Sequence, residues 1–328
     1  MAMRKIQYAV WKKETNNAGG KAKNDAYYIA EKLGFEASYR PSEARLIRVC
    51  QQYMSMHKFD SADVVFVQYP AVDFRILPSF LKHINSKQTT VALIHDLRSI
   101  QGSGEDEGVE EIPLLNKFEY IIAHNQHMAD YLKKKGCTSH IITLELFDYI
   151  HNVSLPIQEP VGDGSIAFAG NLVKSTFIDE LSQVKNVKFT LYGNKGDKNF
   201  NGIDNVEYKG SLPSDEIVYK LEGDYGLVWD GDSVQTCSGK HGEYLRYNNP
   251  HKLSLYIAAG KPVITWKQAA IADFVIRHNI GIVVESLIEL ENMNLSSRYS
   301  YMRANVLELK KKVSRGHFLT TAISECLN

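Results

Sequence analysis

The chain alternates, twice over, between short runs rich in β-branched and aromatic residues and longer stretches with helical periodicity. The first series of strand-like runs is "KIQYAVW" (5–11), "ADVVFVQYP" (62–70), "TTVALIHD" (89–96), "YIIAHN" (120–125) and "HIITLEL" (140–146). Helical stretches lie between them, such as "KAKNDAYYIAEKLGF" (21–35), in which Ala22, Ala26, Ile29, Ala30 and Leu33 share one face. Strands separated by helices pair in parallel, so this alternation demands a sheet covered by helices on both faces. A segment with two prolines and two glycines, "NVSLPIQEPVGDGS" (152–165), interrupts the pattern. It then restarts with "SIAFAGNL" (165–172), "NVKFTLYGN" (186–194), "NVEYKGSL" (205–212), "DYGLVWDGD" (224–232), "KPVITW" (261–266) and "GIVVES" (281–286).

An α/β chain of two Rossmann-like domains facing across a cleft is therefore expected. Residues 1–151 form the first and 165–315 the second, with a linker at 152–164. The chain reads as helical beyond Ser296, and a last helix at 316–328 is expected to pack back on the N-terminal domain. The 328 residues exceed the size at which one core usually keeps growing, which agrees with two domains. Lys plus Arg and Asp plus Glu both total 38, so no net field advertises nucleic acid. Cys50, Cys137, Cys237 and Cys326 lack CxxC spacing and read as reduced thiols. The N-terminus has no apolar signal core, and no apolar run approaches the ~20 residues that cross a bilayer. A cytoplasmic location follows as the expectation.

Ligands of open α/β sheets bind beyond the carboxyl ends of the strands, so function belongs in the loops that follow them. Neither half carries G-x-G-x-x-G after a strand, and no Walker loop is present; the nearest segments, "AFAGNL" and "TLYGNKGD", have single or widely spaced glycines. The second half instead offers Gly170-Asn171, Tyr192-Gly193-Asn194, Trp229-Asp230-Gly231-Asp232 and "NNPHKLS" (248–254). In the last, Pro250 suits the first turn of a helix, whose unpaired amides and dipole favour an anion. Lys252 and His251 add positive charge, and the stretch reads as a diphosphate site. Its plainer reading has Asn248 capping the helix and Lys252 solvated. Tyr192 reads either as core or as the wall of a base or sugar ring. The "DGD" at 230–232 imitates a metal-holding Asp-x-Asp, but turn chemistry accounts for it equally well, and no metal is expected.

In the first half, "ETNNAGGKAKNDA" (14–26) is expected to place Gly19, Gly20 and Lys21 in a loop that admits an acceptor; a flexible connection is the alternative. "IHD" (94–96) ends an apolar strand and presents His95 and Asp96 at its carboxyl end. The loop "LRSIQGSGEDEGVEE" (97–111), with three glycines and five acids, reads as a solvated segment or as one that closes over substrate.

The stretch "GLVWDGDSVQTCSGKHGEYLRYNNPHKLSLYIAAGKPVITW" (226–266) resembles a signature of bacterial β-1,6-galactofuranosyltransferases of O-antigen assembly, which are related to streptococcal glucosyltransferases acting on serine-rich adhesins. Further similarity lies at "GGKAKNDA" (19–26), "LIHDLRSIQG" (93–102), "HNQHMADYL" (124–132), "FAGNL" (168–172) and "IADFVIRHNIG" (271–281). The resemblance implies a GT-B fold with a UDP-sugar donor on the C-terminal domain and an acceptor on the N-terminal side. By matching positions, Gly170, Asn171, Tyr192, Asn249, His251, Lys252 and Ser254 would surround the uridine diphosphate. Gly193, Trp229, Asp230 and Asn248 complete the donor-side candidates.

The chemistry expected is inverting, metal-independent transfer of galactofuranose or glucose to a glycan or lipid-linked saccharide. Asp96 is the first choice for the base that takes the acceptor proton, and His95 the second. A sugar-nucleotide 2-epimerase of the same architecture and a non-catalytic glycosyltransferase-like partner subunit are the competing readings. A homo-oligomer is expected. The Lys-rich "KKKG" (133–136) and "LKKKVSR" (309–315) would suit peripheral contact with the inner face of an anionic membrane, although a solvated helix face is the plainer reading.

Overall fold

A computed structural model describes residues 3–8, 18–70, 77–101 and 111–328. The alternation becomes two six-stranded sheets, parallel throughout, each within its own compact unit. One unit holds Gly19–Glu145 and Gly316–Asn328, and the other Leu146–Arg315.

The first sheet contains β1 (Lys5–Gln7), β2 (Glu36–Ala37), β3 (Val64–Tyr69), β4 (Thr89–Ile94), β5 (Tyr120–Ala123) and β6 (His140–Thr143), in the order β2-β1-β3-β4-β5-β6. Both faces of β3 are covered, which is why "VVFVQY" is a continuous apolar run broken only by Gln68. The two-residue β2 is too short for its periodicity to show in the sequence. The helix Ala18–Lys32 buries Ala22, Ala26, Ile29 and Ala30 and ends at Gly34, whose φ of +87° closes its C-terminus.

The sequence continues as helix past Ser296, with one break. The helix Tyr299–Val313 stops before Gly316, where φ is +79°, and His317–Leu327 then packs against β4, β5 and β6 of the first unit. A Cβ on Gly316 would lie 2.7 Å from the side chain of Ile29, so glycine satisfies both the turn and the close approach.

The second sheet contains β7 (Ile166–Ala169), β8 (Phe189–Tyr192), β9 (Val206–Tyr208), β10 (Tyr225–Val228), β11 (Val263–Trp266) and β12 (Gly281–Val284), in the order β12-β11-β10-β7-β8-β9. The chain winds outward from β7 through β8 to β9, then returns to β10 on the other side and continues to β12. This reversal opens a crevice between the carboxyl ends of β7 and β10, the place where doubly wound sheets take ligands. Residues 152–164 contain no helix or strand and belong to the second unit. They are nevertheless held: the buried Asp224 carboxylate accepts from Val161 N and Gly162 N at 2.8 and 3.0 Å and from Gly164 N at 2.7 Å.

Among the described residues no helix is long and apolar enough to cross a membrane.

Candidate functional site

The candidate donor site is built on the helix His251–Ala258, which lies against β10 and β11. Tyr256 fixes it there. Its ring occupies the space above Gly226, where a Cβ would approach to 2.1 Å. Its hydroxyl, fully buried, accepts from Ala169 N and donates to Leu227 O, both at 3.0 Å. One phenol thus ties the last residue of β7 to β10 at the mouth of the crevice, and burial raises its pKa so that it keeps its proton. Tyr256 is not among the residues that the sequence motifs single out; the signal for it is a glycine inside an apolar strand, which marks a close approach.

The other end of the helix faces the loops after β7 and β10. Lys252 extends from its first turn across Gly170, and its Nζ lies 3.1 Å from Asp230 Oδ2 and 3.3 Å from Trp229 O. It also stands 4.6 Å from the centre of the Phe168 ring. A Cβ on Gly170 would sit 3.0 Å from the lysine Cε, so the glycine leaves room for the cation. Gly193 is held more tightly, with φ +132° and a Cβ position only 1.8 Å from Gly170 O. Asn171 turns the chain after Gly170, its Oδ1 accepting from Val173 N at 3.1 Å and Lys174 N at 3.2 Å.

Pro250 occupies the position just before the helix, and no side chain caps it, so Asn248 is not the cap. Instead the Asn248 Oδ1 is buried without a hydrogen-bond partner among the described residues, one turn of chain from Lys252. A buried, unpaired amide oxygen is costly and uncommon. Asn249 is buried beside it.

Several candidates have structural duties instead of open side chains. Ser254 is wholly buried and donates to Phe147 O at 2.6 Å. His251 is stacked on Tyr149 with ring centres 5.1 Å apart, and its Nε2 lies 3.3 Å from Asp148 O. Both residues therefore fasten the segment after β6 to the first turn of the helix. The Trp229 indole is buried and donates to Ser233 O, so only its carbonyl reaches Lys252. The Tyr192 ring is buried as well, and its hydroxyl joins Lys220 O and Glu222 N at 3.3 and 3.0 Å. Tyr192 is thus packed within the core of the second unit. The two carboxylates of "DGD" diverge, Asp230 to Lys252 and Asp232 to Thr176 Oγ1 at 2.9 Å.

In the first unit the expected glycine loop is corrected. Gly19 and Gly20 lie in the first turn of the helix Ala18–Lys32, and Lys21 is buried in an ion pair with Asp25 at 2.7 Å, one turn further along. Residues 14–17 of that stretch and 102–110 of the acidic loop lie outside the described residues. Glu111, counted in the acidic loop, is buried: its carboxylate accepts from Arg98 N, Ser99 N and the Tyr69 hydroxyl at 3.0, 2.9 and 3.0 Å. It caps the short helix Arg98–Gln101 immediately after Asp96.

His95 is buried with Nε2 2.7 Å from Gln68 Oε1, while Gln68 Nε2 donates to Lys23 O at 3.1 Å. The amide orientation makes Nε2 the protonated nitrogen of His95. Asp96 is half-buried and accepts from Gln101 Nε2 at 3.2 Å. Burial lowers the pKa of nearby Lys23, and the Asp96 charge opposes that shift. A carboxylate and an ammonium thus share the carboxyl end of the first sheet.

Comparisons with known proteins identify the family. Residues 6–146 match the N-terminal and 166–326 the C-terminal domain model of glucosyltransferase 3-like proteins. The chain is 32% identical over 278 residues to the β-1,6-galactofuranosyltransferase WbbI of Escherichia coli K12, covering 82% of this chain and 80% of that protein. It is 27% identical to glucosyltransferase 3 of Streptococcus gordonii, with 94% of each chain aligned. Among solved structures, Anabaena HepE in complex with UDP and glucose superposes with a TM-score of 0.64 over 99% of both chains at 12% identity. The pneumococcal O-GlcNAc transferase GtfA superposes with a TM-score of 0.54 over 85% of this chain and 60% of that one, at 14% identity. The fold is GT-B, as the sequence leads one to expect, and the chain belongs to the glucosyltransferase 3-like family of glycosyltransferases.

Proposed function

We propose that this chain transfers galactofuranose from its UDP conjugate to a hydroxyl of a glycan or lipid-linked saccharide, with inversion at the anomeric carbon and without a metal ion. The observation that carries the reading is Lys252, an ammonium at the start of a helix, set across Gly170 where β7 and β10 part. A diphosphate placed there meets the ammonium and the first-turn amides together. Its negative charge grows as the glycosidic bond breaks, so the same groups hold the transition state more strongly than the bound donor. Lys252 and the helix supply the charge that a divalent cation supplies in other transferases. The buried Asn248 oxygen offers an acceptor for a hydroxyl of the donor.

For the proton of the attacking hydroxyl, Asp96 is favoured over His95. Its carboxylate is half-buried beside a lysine, whereas the imidazole is committed to Gln68. The choice of sugar rests on the E. coli relative, whose name specifies a β-1,6 linkage of galactofuranose. Sugar nucleotides of this kind are α-linked, and a β product from an α donor requires inversion. The HepE complex with UDP and glucose supports a UDP-sugar donor in this fold.

The test is incubation of the purified chain with UDP-galactofuranose, UDP-galactose and UDP-glucose, with and without a saccharide acceptor, followed by NMR of the product. A β-linked product, with UDP release unaffected by chelator, is expected from the first donor. A glucoside would reassign the donor, a retained configuration would remove inversion, and an epimer formed from donor alone would favour the epimerase. Absence of UDP binding by calorimetry would favour a non-catalytic subunit.

A further inference from the structure

A lysine ammonium carries three donor protons on a flexible stem. That of Lys252 is directed to the loop after β10, with Asp230 Oδ2 at 3.1 Å and Trp229 O at 3.3 Å. Its stem runs beside Gly170, and its Nζ stands 4.6 Å from the centre of the Phe168 ring. The cation set to meet a diphosphate is thus already paired with a carboxylate. The pair is not sealed in the core: the two side chains are 14 and 25% exposed, so both remain open to a ligand.

The backbone and the side chain of Asp230 are held very differently. The backbone is fixed, because the next residue, Gly231, has φ +105° and a Cβ position 2.2 Å from Ser238 O, while Gly231 O accepts from Phe177 N at 3.1 Å. Asp232, two residues on, is bound to Thr176 Oγ1 at 2.9 Å. The Asp230 carboxylate has, among the described residues, one side-chain partner besides Lys252, the Ser175 hydroxyl at a long 3.4 Å. Rotation of one side chain therefore suffices to release Lys252 while the loop stays in place. A carboxylate that did not move would stand against the like charge of a bound diphosphate, in a partly buried site where solvent screens such repulsion poorly.

We propose that Asp230 is a positioning residue that competes with the diphosphate for Lys252: it holds the ammonium beside Gly170, yields it to the arriving donor and takes it back as UDP leaves. This rests on the reading of Lys252 as the diphosphate ligand and gives Asp230 a role opposite to that of a donor contact. Breaking the glycosidic bond leaves UDP with more negative charge than the diphosphate of the donor, so the carboxylate opposes the product more than the substrate and favours its release. Asp232 carries the same charge two residues away but is turned to Thr176, so the competition belongs to Asp230 alone of the two.

The test is calorimetric titration of UDP into the native protein and into Asp230→Asn, Asp230→Ala and Asp232→Asn, with the melting temperature of each recorded. Asparagine keeps the shape of the side chain and removes its charge, and alanine removes both. UDP binding about tenfold tighter in the Asp230 variants, with native-like affinity in Asp232→Asn, is the expected result. Damage to the loop would loosen binding, so tightening separates competition from a merely structural role. Unchanged or weaker binding by a folded Asp230 variant would overturn the inference. Equal tightening by Asp232→Asn would overturn it too, by making the effect one of net charge. Both outcomes leave the donor site at Lys252 standing, whereas UDP binding by none of the four proteins would remove that site and the inference with it.

Discussion

The ring of Tyr256 lies directly over Gly226, and its hydroxyl bonds both Ala169 N and Leu227 O at 3.0 Å, so a single side chain fills and bridges the point at which the second sheet reverses direction. The glycine is required because any Cβ would enter the ring. Gly226→Ala should destabilise the protein by about 1–3 kcal/mol through overpacking, read from the midpoint of urea unfolding. Tyr256→Phe removes no volume from the ring but strands two buried backbone groups. A loss of about 1–3 kcal/mol in stability is expected, together with weaker UDP binding by calorimetry.

Lys252→Met keeps the aliphatic stem over Gly170 and removes the charge. Turnover should fall by about 10²–10³ with the fold preserved, since the lost interaction grows as the diphosphate departs. Steady-state kinetics with circular dichroism will check this, and unchanged kcat in a folded variant would remove Lys252 from the mechanism.

Gly193→Ala tests the fit between the loops after β7 and β8. Alanine must adopt φ near +132° with its Cβ 1.8 Å from Gly170 O, a contact that no side-chain motion relieves. A loss of at least about 3 kcal/mol is expected from strain and overpacking together. Thermal unfolding will measure it, and a native-like melting temperature would contradict the geometry.

Glu111→Ala should be costly although its neighbours in sequence make a strongly acidic segment. It strands Arg98 N, Ser99 N and the Tyr69 hydroxyl beneath the helix that follows Asp96. A loss of about 2–4 kcal/mol is expected from these unpaired donors, with reduced transferase activity, and glutamine should restore part of both.

His124 is wholly buried, with Nε2 3.0 Å from Ile94 O, and burial lowers its pKa from 6.5 to about 4. Below 6.5 the unfolded chain takes up a proton that the folded protein refuses, so stability falls as the pH drops from 6.5 towards 4 and levels off below. The full decline is roughly 3 kcal/mol for this group, and it is absent above 6.5, where both states are neutral. Urea unfolding at a series of pH values, compared between the native protein and His124→Gln, will isolate the contribution.

Much of the fold was legible because parallel sheets leave strong marks. β3 and β4 are buried on both faces and therefore read as continuous apolar runs, and Pro156, Pro160, Gly162 and Gly164 mark the stretch between the two series. The helix after "NNP" was equally visible, as was the placing of Lys252 in its first turn. Gly19 and Gly20 misled, because glycine is read as a loop former, yet here the helix Ala18–Lys32 begins around them and is stabilised further along by its buried alanine face. Tyr192 and Trp229 were legible as residues at strand ends, but a sequence does not say whether such a ring turns inward.

What the sequence determined by itself is the number and kind of layers and the loops in which chemistry must lie, because strand and helix periodicities are local and each strand is matched to its own burial. What only the tertiary structure decided is which groups meet: Lys252 with Gly170 and Asp230, Tyr256 with Gly226, and Glu111 with Arg98 and Ser99. These partners are brought together by strand order, and strand order depends on how the whole sheet packs, an energy that no short window of sequence contains.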